Sequence, residues 1–298
     1  MAEDNIVLQV NHLNKEYITK KQRIKAVQDL SFHIKRGETY GLVGESGCGK
    51  TTTGKLLVKL FQADSGEIIF DGVDISTMPL REFRTLRPSI QMVFQDPYGS
   101  LNPRMKIKKL LAEAVMCRKG KVEDVNQKVE ELIQSVGLRV SDLDKYPHEF
   151  SGGQRQRISI ARAIATQPEL IICDEPVSAL DLLVQGQILK LLKDLQEKYN
   201  FTYIFISHNL SVVRHMSDRV GVMCKGKIIE EGNAEEIFLH PSHQYTQLLL
   251  DSVPKLEACE INQKIIYDDK YQKAVDAVEC ERVQKIELSD THYVLRGI

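Results

Sequence analysis

Residues 44–51 read GESGCGKT, which fits the pattern of a glycine, four residues and then Gly-Lys-Ser/Thr. The apolar residues 39–43 (TYGLV) lead into this stretch and predict a buried strand, and the residues after it show helical spacing. Glycines let the backbone curl so that several N–H groups point at one anion, and the first turn of a helix adds further donors. The sequence therefore predicts a strand, a phosphate-binding loop and a helix in succession, with a nucleotide as the ligand.

Two side chains of this loop have predicted roles in the chemistry. Lys50 is expected to place its positive charge on the β- and γ-phosphates, and the hydroxyl of Thr51 is expected to hold Mg²⁺. Cys48 occupies a variable position of the pattern and is interpreted as a small filling residue without a catalytic role. The residues predicted to line the phosphates are Gly44, Glu45, Ser46, Gly47, Cys48, Gly49, Lys50, Thr51 and Thr52.

Composition narrows the class of protein. The chain has 298 residues, enough for one large or two small domains, and a net charge of −1 from 40 basic and 41 acidic residues, which does not favour a nucleic-acid partner. None of the six cysteines forms a CxxC pair, so no disulfide framework is expected. The cysteine pattern instead favours a location in the reducing cytosol. The first residues of the sequence show no signal-peptide pattern. A membrane span needs about 18 consecutive apolar residues, and no apolar run in the sequence approaches that length.

The pattern of apolar residues predicts strands alternating with helices, which implies an α/β fold with a mainly parallel sheet. Turn signals are found at Ser65-Gly66 and Asp71-Gly72, and residues 219–232 are predicted to form two edge strands around a Lys225-Gly226 turn. Residues 96–154 are turn-rich and then amphipathic, which predicts an inserted helical subdomain. Other predicted strands are 6–10, 26–34, 90–94, 170–173 and 202–206, and predicted helices are 155–166 and 185–200.

The last part of the chain has a weaker pattern. Residues 240–254 predict a helix closed by Pro254, and residues 270–288 are compatible with either a helix or a strand pair.

Two further motifs carry chemistry. Residues 170–175 (LIICDE) predict an apolar strand ending in adjacent carboxylates, where Asp174 can hold Mg²⁺ through water and Glu175 can polarise an attacking water. Residues 150–154 (FSGGQ) place two glycines after a serine at the start of a helix, which predicts a second anion-binding N-terminus. One chain with two such anion sites and one nucleotide suggests that the second site faces a nucleotide held by a partner subunit.

The set GESGCGKT, Gln95, FSGGQRQR, LIICDE, SALD and His208 resembles the ATP-binding-cassette ATPases in order and spacing, over about residues 6–250. The resemblance implies a P-loop NTPase with a mainly parallel sheet core, an antiparallel β edge subdomain and the inserted helical subdomain. It implies a cassette over residues 1–250, with a core of 1–95 and 155–250, and an extension of unknown role over residues 251–298. It also implies ATP hydrolysis with Mg²⁺.

The resemblance assigns roles to individual residues. Tyr17 matches the aromatic residue that stacks on adenine, Gln95 the glutamine that reaches Mg²⁺ and the attacking water, and His208 the histidine that contacts the γ-phosphate. The implied catalytic residues are Lys50, Gln95, Glu175 and His208, and the implied metal ligands are Thr51, Gln95 and Asp174. The residues implied to bind the γ-phosphate of ATP held by the partner subunit are Ser151, Gly152, Gly153 and Gln154. Asp181, grouped with them among the nucleotide-binding residues, matches a residue that crosses the dimer interface.

A narrower resemblance joins the chain to the ATPases of bacterial oligopeptide, dipeptide and nickel importers, and most closely to the second of their two paired ATPases. It rests on the loop sequence and on the phrases MVFQDPYGSLNPRM and HPSHQYTQLLL. It implies two transmembrane permease subunits, a paired ATPase or a second copy as dimer partner, an indirect extracytoplasmic binding protein, and a position on the cytoplasmic face of the membrane. Many such ATPases hold an iron–sulfur cluster near their C-terminus, but only Cys259 and Cys280 lie in that region here, so no cluster is expected.

Other functions stay open at this stage. Within the same group, a nickel or metal-chelate importer is the alternative cargo class. Outside it stand an exporter ATPase and a cassette protein acting on ribosomes or DNA. The single cassette and the absence of zinc-spaced cysteines count against the ribosome or DNA class.

Overall fold

The structure is a computed structural model that describes residues 5–18, 22–118, 120, 122–252, 271, 273–276, 278, 283–289 and 291–297. The chain divides into two compact units. The first unit comprises Met1–Val7, Lys35–Gly37 and Thr77–Ile204, and the second comprises Leu8–Ile34, Glu38–Ser76 and Phe205–Ile298.

Strands and helices alternate along most of the described chain. The strands are β1 Ile6–Ile18, β2 Arg23–Lys35, β3 Thr39–Val43, β4 Ser65–Phe70, β5 Val73–Asp74, β6 Ile90–Val93, β7 Leu170–Asp174, β8 Thr202–Ser207, β9 Arg219–Cys224, β10 Lys227–Asn233, β11 Val283–Glu287 and β12 Tyr293–Gly297. The helices are α1 Lys50–Leu57, α2 Leu80–Phe83, α3 Pro97–Ser100, α4 Ile107–Met116, α5 Val125–Ser135, α6 Gly152–Ile164, α7 Leu182–Tyr199, α8 Leu210–Met216, α9 Ala234–Leu239 and α10 Gln244–Asp251. None of the helices in the described ranges is both long and apolar enough to cross a lipid bilayer.

In the second unit, the strand before the glycine-rich loop is completely buried and lies inside a sheet. β3 pairs with β9 in parallel, with Val43 opposite Val222, and β9 pairs with β10 in antiparallel. β10 then pairs with β12, and β12 with β11, both in antiparallel. The prediction that residues 219–232 form edge strands is therefore wrong, because the later strands β11 and β12 extend the sheet past β10. The turn between the two strands is confirmed, with Lys225 and Gly226 at positive φ.

A separate antiparallel sheet has the strand order β2-β1-β4-β5. β4 and β5 form a hairpin in which Phe70 lies opposite Val73, so the predicted turn at Asp71-Gly72 is confirmed. The predicted turn at Ser65-Gly66 is wrong. Ser65 is the first residue of β4 and pairs with Asn14 of β1. The pairing register shifts between Asn11 and Asn14 of β1, and Ser65 remains part of the sheet.

In the first unit, β6 and β7 pair in parallel, with Val93 opposite Cys173. The amphipathic stretch after β6 forms the short helix α3 and the longer helices α4 and α5. The predicted helical spacing of α5 is confirmed, because its buried residues are Val129, Leu132 and Ile133.

The end of the chain combines both of the structures that its pattern allowed. Residues 273–276 are helical, and Val283–Glu287 forms the strand β11. The helix predicted from residue 240 is α10, Gln244–Asp251, and Pro254 lies outside the described residues.

An ion cluster is buried in the second unit. The guanidinium of Arg219 is 3.2 Å from Glu38 Oε1, contacts Glu231 Oε1 and donates to the carbonyl of His33. Glu231 is 2% exposed, and burial raises the pKa of its carboxyl group although the charge of Arg219 opposes that shift. The hydroxyl of Tyr293 donates a hydrogen bond of 2.8 Å to Glu231 Oε2. The cluster therefore connects β9, β10 and β12.

Candidate active site

The glycine-rich loop follows β3 and ends where α1 begins at Lys50, as the sequence predicts. Two of its glycines are required by close approach of other backbone segments. A Cβ atom on Gly44 would lie 2.1 Å from the carbonyl oxygen of Met223, and one on Gly49 would lie 2.2 Å from that of Ala26. Both residues also have φ values, +149° and +115°, that L side chains rarely adopt. The loop is therefore held against β9 and β2.

Lys50 is 4% exposed, and its ammonium group is bound by the loop itself. Its Nζ donates hydrogen bonds of 2.7 Å to the carbonyl oxygens of Gly44 and Glu45, and it lies 3.7 Å from Sγ of Cys48. A phosphate oxygen would offer this cation an anionic acceptor in place of neutral ones, which gives a stronger, charge-assisted hydrogen bond.

The thiol of Cys48 is inert in this setting. The residue is buried, and burial raises the pKa of its thiol although the neighbouring charge of Lys50 opposes the shift. The structure agrees with the interpretation of Cys48 as a filling residue.

The parallel pairing of β6 and β7 explains how Gln95 and Glu175 meet. Val93 lies opposite Cys173, so the residues two positions later, Gln95 and Glu175, leave the same edge of the sheet side by side. Nε2 of Gln95 donates a hydrogen bond of 3.0 Å to Oε2 of Glu175. Asp174, the last residue of β7, is 3% exposed.

Glu175 has an unusual backbone conformation. Its φ of 45° lies in the left-handed region, which costs a non-glycine residue roughly 1–2 kcal/mol. Such conformations persist where the surrounding structure fixes them, and they are concentrated at functional sites. The turn directs the carboxylate of Glu175 toward Gln95.

The serine-glycine motif opens α6 as predicted. Ser151 is the N-cap, its Oγ accepts a hydrogen bond from the amide of Gln154, and Gln154 Oε1 accepts one of 3.0 Å from the amide of Ser151. A Cβ atom on Gly153 would lie 2.4 Å from Val184 Cγ1 in α7. Asp181 caps α7 by accepting a hydrogen bond of 3.0 Å from the amide of Val184. The structure thus brings the motif and Asp181 together at two adjacent helix N-termini.

The remaining predicted residues stand at the ends of strands in the second unit. Tyr17 lies near the end of β1, and its half-buried ring meets Phe61 edge-on with ring centres 5.9 Å apart. His208 is exposed and follows the last residue of β8. Cys259 and Cys280, considered above as cluster ligands, lie outside the described residues.

One contact of the loop was not predicted. The hydroxyl of Tyr245 in α10 accepts a hydrogen bond of 3.3 Å from the amide of Glu45. The two residues are 200 positions apart, and no local pattern in the sequence connects them.

Comparison with known proteins identifies the family of this chain. A family profile described as "ABC transporter" matches residues 27–178, which include the loop, Gln95, the serine-glycine motif and Glu175. A second profile, described as "Oligopeptide/dipeptide transporter, C-terminal region", matches residues 229–273. The chain belongs to the ABC transporter family and is an ATP-binding-cassette ATPase.

The most similar relatives described here are bacterial. The "Oligopeptide transport ATP-binding protein OppF" of Bacillus subtilis (strain 168) is 45% identical over 300 residues, which cover 97% of this chain and 95% of that protein. The "Oligopeptide transport ATP-binding protein AppF" of the same strain is 53% identical, over 78% of this chain and 71% of that protein. The "Dipeptide transport ATP-binding protein DppF" of Lactococcus lactis subsp. cremoris (strain MG1363) is 46% identical, over 90% of this chain and 88% of that protein.

Solved structures of other cassettes share the fold. The protein cbiO1 of Clostridium perfringens, part of an ABC transporter complex, has a TM-score of 0.70 at 30% identity, over 79% of this chain and 92% of that one. A dimeric ATP-binding cassette bound to ADP and Pi has a TM-score of 0.69 at 27% identity, over 76% of this chain and 98% of that one. The predicted class, a P-loop NTPase with an α/β sheet core, an antiparallel sheet and helices, is confirmed, and the core sheet is mixed because β10, β11 and β12 add antiparallel pairs.

Proposed function

We propose that this chain is the ATP-hydrolysing, energy-coupling subunit of a bacterial importer of oligopeptides or dipeptides. The supporting observation is similarity over nearly the whole chain, 97% of it, to a relative whose name specifies oligopeptide transport, together with the C-terminal profile at residues 229–273. In this proposal residues 1–250 form the cassette and residues 251–298 an extension.

ATP binding is assigned to the loop and to Tyr17. The amides at the start of α1 and the ammonium group of Lys50 hold the phosphates, and the ring of Tyr17 stacks on adenine. Mg²⁺ prefers hard oxygen ligands, and the family resemblance matches three such groups to its metal ligands, namely the hydroxyl of Thr51, the amide oxygen of Gln95 and the carboxylate of Asp174. When bound, it neutralises negative charge on the phosphates.

Hydrolysis is assigned to Glu175 as the general base. Its carboxylate takes a proton from the attacking water, and the hydrogen bond from Gln95 orients it for that step. His208 is assigned to the γ-phosphate, where charge develops in the transition state. Catalysis then depends mainly on positioning and charge, as in other phosphoryl transfers.

A complete site is proposed to need two cassettes. Ser151, Gly152, Gly153 and Gln154 bind the γ-phosphate of ATP held by the partner, and Asp181 contacts the partner across the interface. Their common location at two adjacent helix N-termini supports one shared interface. Leu182 and Leu183, beside Asp181, are 86% and 72% exposed, which suits burial against another subunit. The partner is a related ATPase or a second copy of this chain.

Coupling to transport is assigned to the stretch that begins at Asp96, DPYGSLNP. Tyr98 of this stretch is 53% exposed, and the guanidinium of Arg155 in α6 lies 5.0 Å from the centre of its ring. Movement of α6 on dimer closure would therefore reach this surface, where two transmembrane permease subunits dock. The chain would then lie peripherally on the cytoplasmic face of the membrane, and an extracytoplasmic binding protein would deliver the cargo to the permeases.

Uptake by cells tests the proposal. Cells lacking the chromosomal copy would receive the wild-type chain or its Lys50→Ala variant, and uptake of radiolabelled dipeptide, pentapeptide and ⁶³Ni²⁺ would be measured. Restoration of peptide uptake by the wild-type chain alone supports the proposal. Restoration of nickel uptake alone would assign a metal importer, and recovery of ribosomes or DNA instead of permeases with the purified chain would reject transport.

A further inference from the structure

Glu45, the second residue of the phosphate-binding loop, is hydrogen-bonded to the C-terminal part of the second unit. The amide of Glu45 donates a hydrogen bond of 3.3 Å to the hydroxyl oxygen of Tyr245, which is 1% exposed and lies in α10. A buried hydroxyl group needs a hydrogen-bond partner, and the amide of Glu45 supplies one here.

A second tyrosine packs against Tyr245. The rings of Tyr245 and Tyr271 are 5.4 Å apart and inclined by 40°. Burial raises the pKa of Tyr271, and interactions with Tyr245 and with the carboxylate of Glu45 raise it further. Tyr271 therefore packs against the tyrosine whose hydroxyl binds the amide of Glu45.

The first turn of α10 is itself held by buried groups. Glu230 of β10 is completely buried, and its carboxylate accepts hydrogen bonds of 2.7 Å and 3.0 Å from the amides of Ser242 and His243. Nδ1 of His243 accepts one of 3.0 Å from the amide of Tyr245. Nε2 of His292, just before β12, lies 2.9 Å from the same carboxylate of Glu230. A continuous set of hydrogen bonds therefore runs from the final strand to the loop.

We propose that Tyr245 is a positioning residue for the phosphate-binding loop, and that the C-terminal region sets the affinity for ATP through it. The hydroxyl of Tyr245 fixes the amide of Glu45, and so holds the loop in the conformation that receives the phosphates. The inference rests on ATP binding at this loop, which Lys50→Ala tests separately.

The expected effect is on binding and not on the chemical step. Without the hydroxyl, the loop samples other conformations, and ATP must select the competent one, which lowers the apparent affinity. Loss of one neutral hydrogen bond of about 1 kcal/mol corresponds to a change of about fivefold. The assigned general base, Glu175, is oriented by its hydrogen bond with Gln95, so turnover at saturating ATP should be retained.

Tyr245→Phe in the full chain tests this, because phenylalanine keeps the ring and removes only the hydroxyl. Tyr203→Phe is the matched control, since Tyr203 is also completely buried and its hydroxyl donates to a backbone carbonyl, that of Leu192, in the first unit. We expect Tyr245→Phe to raise Kd and KM for ATP about fivefold with kcat unchanged, and Tyr203→Phe to leave all three unchanged. Hydrogen exchange should show a protected Glu45 amide in the wild-type chain and faster exchange in Tyr245→Phe.

Two results would overturn the inference. One is an ATP affinity of Tyr245→Phe equal to that of Tyr203→Phe while the wild-type chain binds ATP normally. The other is an unprotected Glu45 amide in the nucleotide-free wild-type chain, a measurement that does not depend on the folding of any variant. If the wild-type chain itself does not bind ATP, the proposed function fails as well.

Discussion

Replacement of Glu175 by glutamine removes the assigned general base with the smallest change in shape. The carboxamide oxygen of the new residue can still accept the hydrogen bond that Gln95 Nε2 now donates over 3.0 Å to the carboxylate. The backbone of residue 175 keeps its positive φ, so the strain at this position is the same in both proteins. Only the ability to take a proton from water is lost.

The size of the effect follows from that single loss. A general base contributes typically about 10²–10⁴-fold to the rate, which is about 3–5 kcal/mol in the activation barrier. The free energy of unfolding should change by no more than about 0.5 kcal/mol, since neither packing nor backbone geometry is altered. ATP affinity should stay near the wild-type value because the assigned phosphate contacts are made by the loop.

Phosphate release measured at saturating ATP, together with nucleotide binding and thermal unfolding, checks these three expectations. Glu169→Gln serves as the control, because Glu169 lies just before β7 and makes only a surface ion pair, 2.8 Å from Arg36, among its side-chain contacts described here. The control should hydrolyse ATP at the wild-type rate. A Glu175→Gln rate within about tenfold of wild type would refute the assignment of Glu175 as the base.

Three further outcomes are expected. Lys50→Ala should weaken ATP binding about tenfold to a hundredfold, because a charge-assisted hydrogen bond is lost. Calorimetric titration measures this affinity, and the control Lys190→Ala, at an exposed position of α7, should bind ATP like the wild-type chain. Equal ATP affinities of the two variants would contradict the loop assignment. Arg219→Met should lower the free energy of unfolding by about 3–5 kcal/mol, because the buried carboxylates of Glu38 and Glu231 lose their counter-charge. A denaturant midpoint close to that of the wild-type chain would show that other groups compensate these carboxylates. Iodoacetamide at pH 8 should modify the exposed Cys117 well before Cys48, because the raised pKa of the Cys48 thiol leaves less thiolate. Peptide mass spectrometry measures the order of modification. The reverse order would mean that the phosphate-binding loop opens and exposes Cys48.

The parts of the site that depend on local pattern could be predicted from the sequence. The strand, loop and helix around Lys50 follow from glycine spacing and apolar periodicity, and the capping motif at Ser151 follows from its own four residues. Gln95 and Glu175 each follow an apolar strand, β6 and β7 respectively. They lie side by side because these two strands are parallel neighbours in the sheet. Periodicity does not specify which strands pair, so the pairing of β6 with β7 was not predicted and is known only from the structure.

The parts that depend on distant pairing could not be predicted. β11 is rich in charge and alternates weakly, so its residues are compatible with more than one structure until β12 is in place beside them. The positive φ of Glu175 has no signature, because glutamate carries no preference for that conformation. The contact of Glu45 with Tyr245 joins segments that are separate in every local window of the sequence.

The pairing of β12 with β10 has a consequence for where this chain can be shortened. A chain ending at residue 250 would leave β10 with a row of unpaired amides and carbonyls, in the place where Tyr293 and Val294 now complete the ladder. It would also remove His292 and Tyr293 from the buried carboxylates of Glu230 and Glu231. Open strand edges recruit strands from other molecules. The final strands thus cover a strand edge that would otherwise favour self-association, and we expect a chain shortened to residue 250 to aggregate more readily than the full chain.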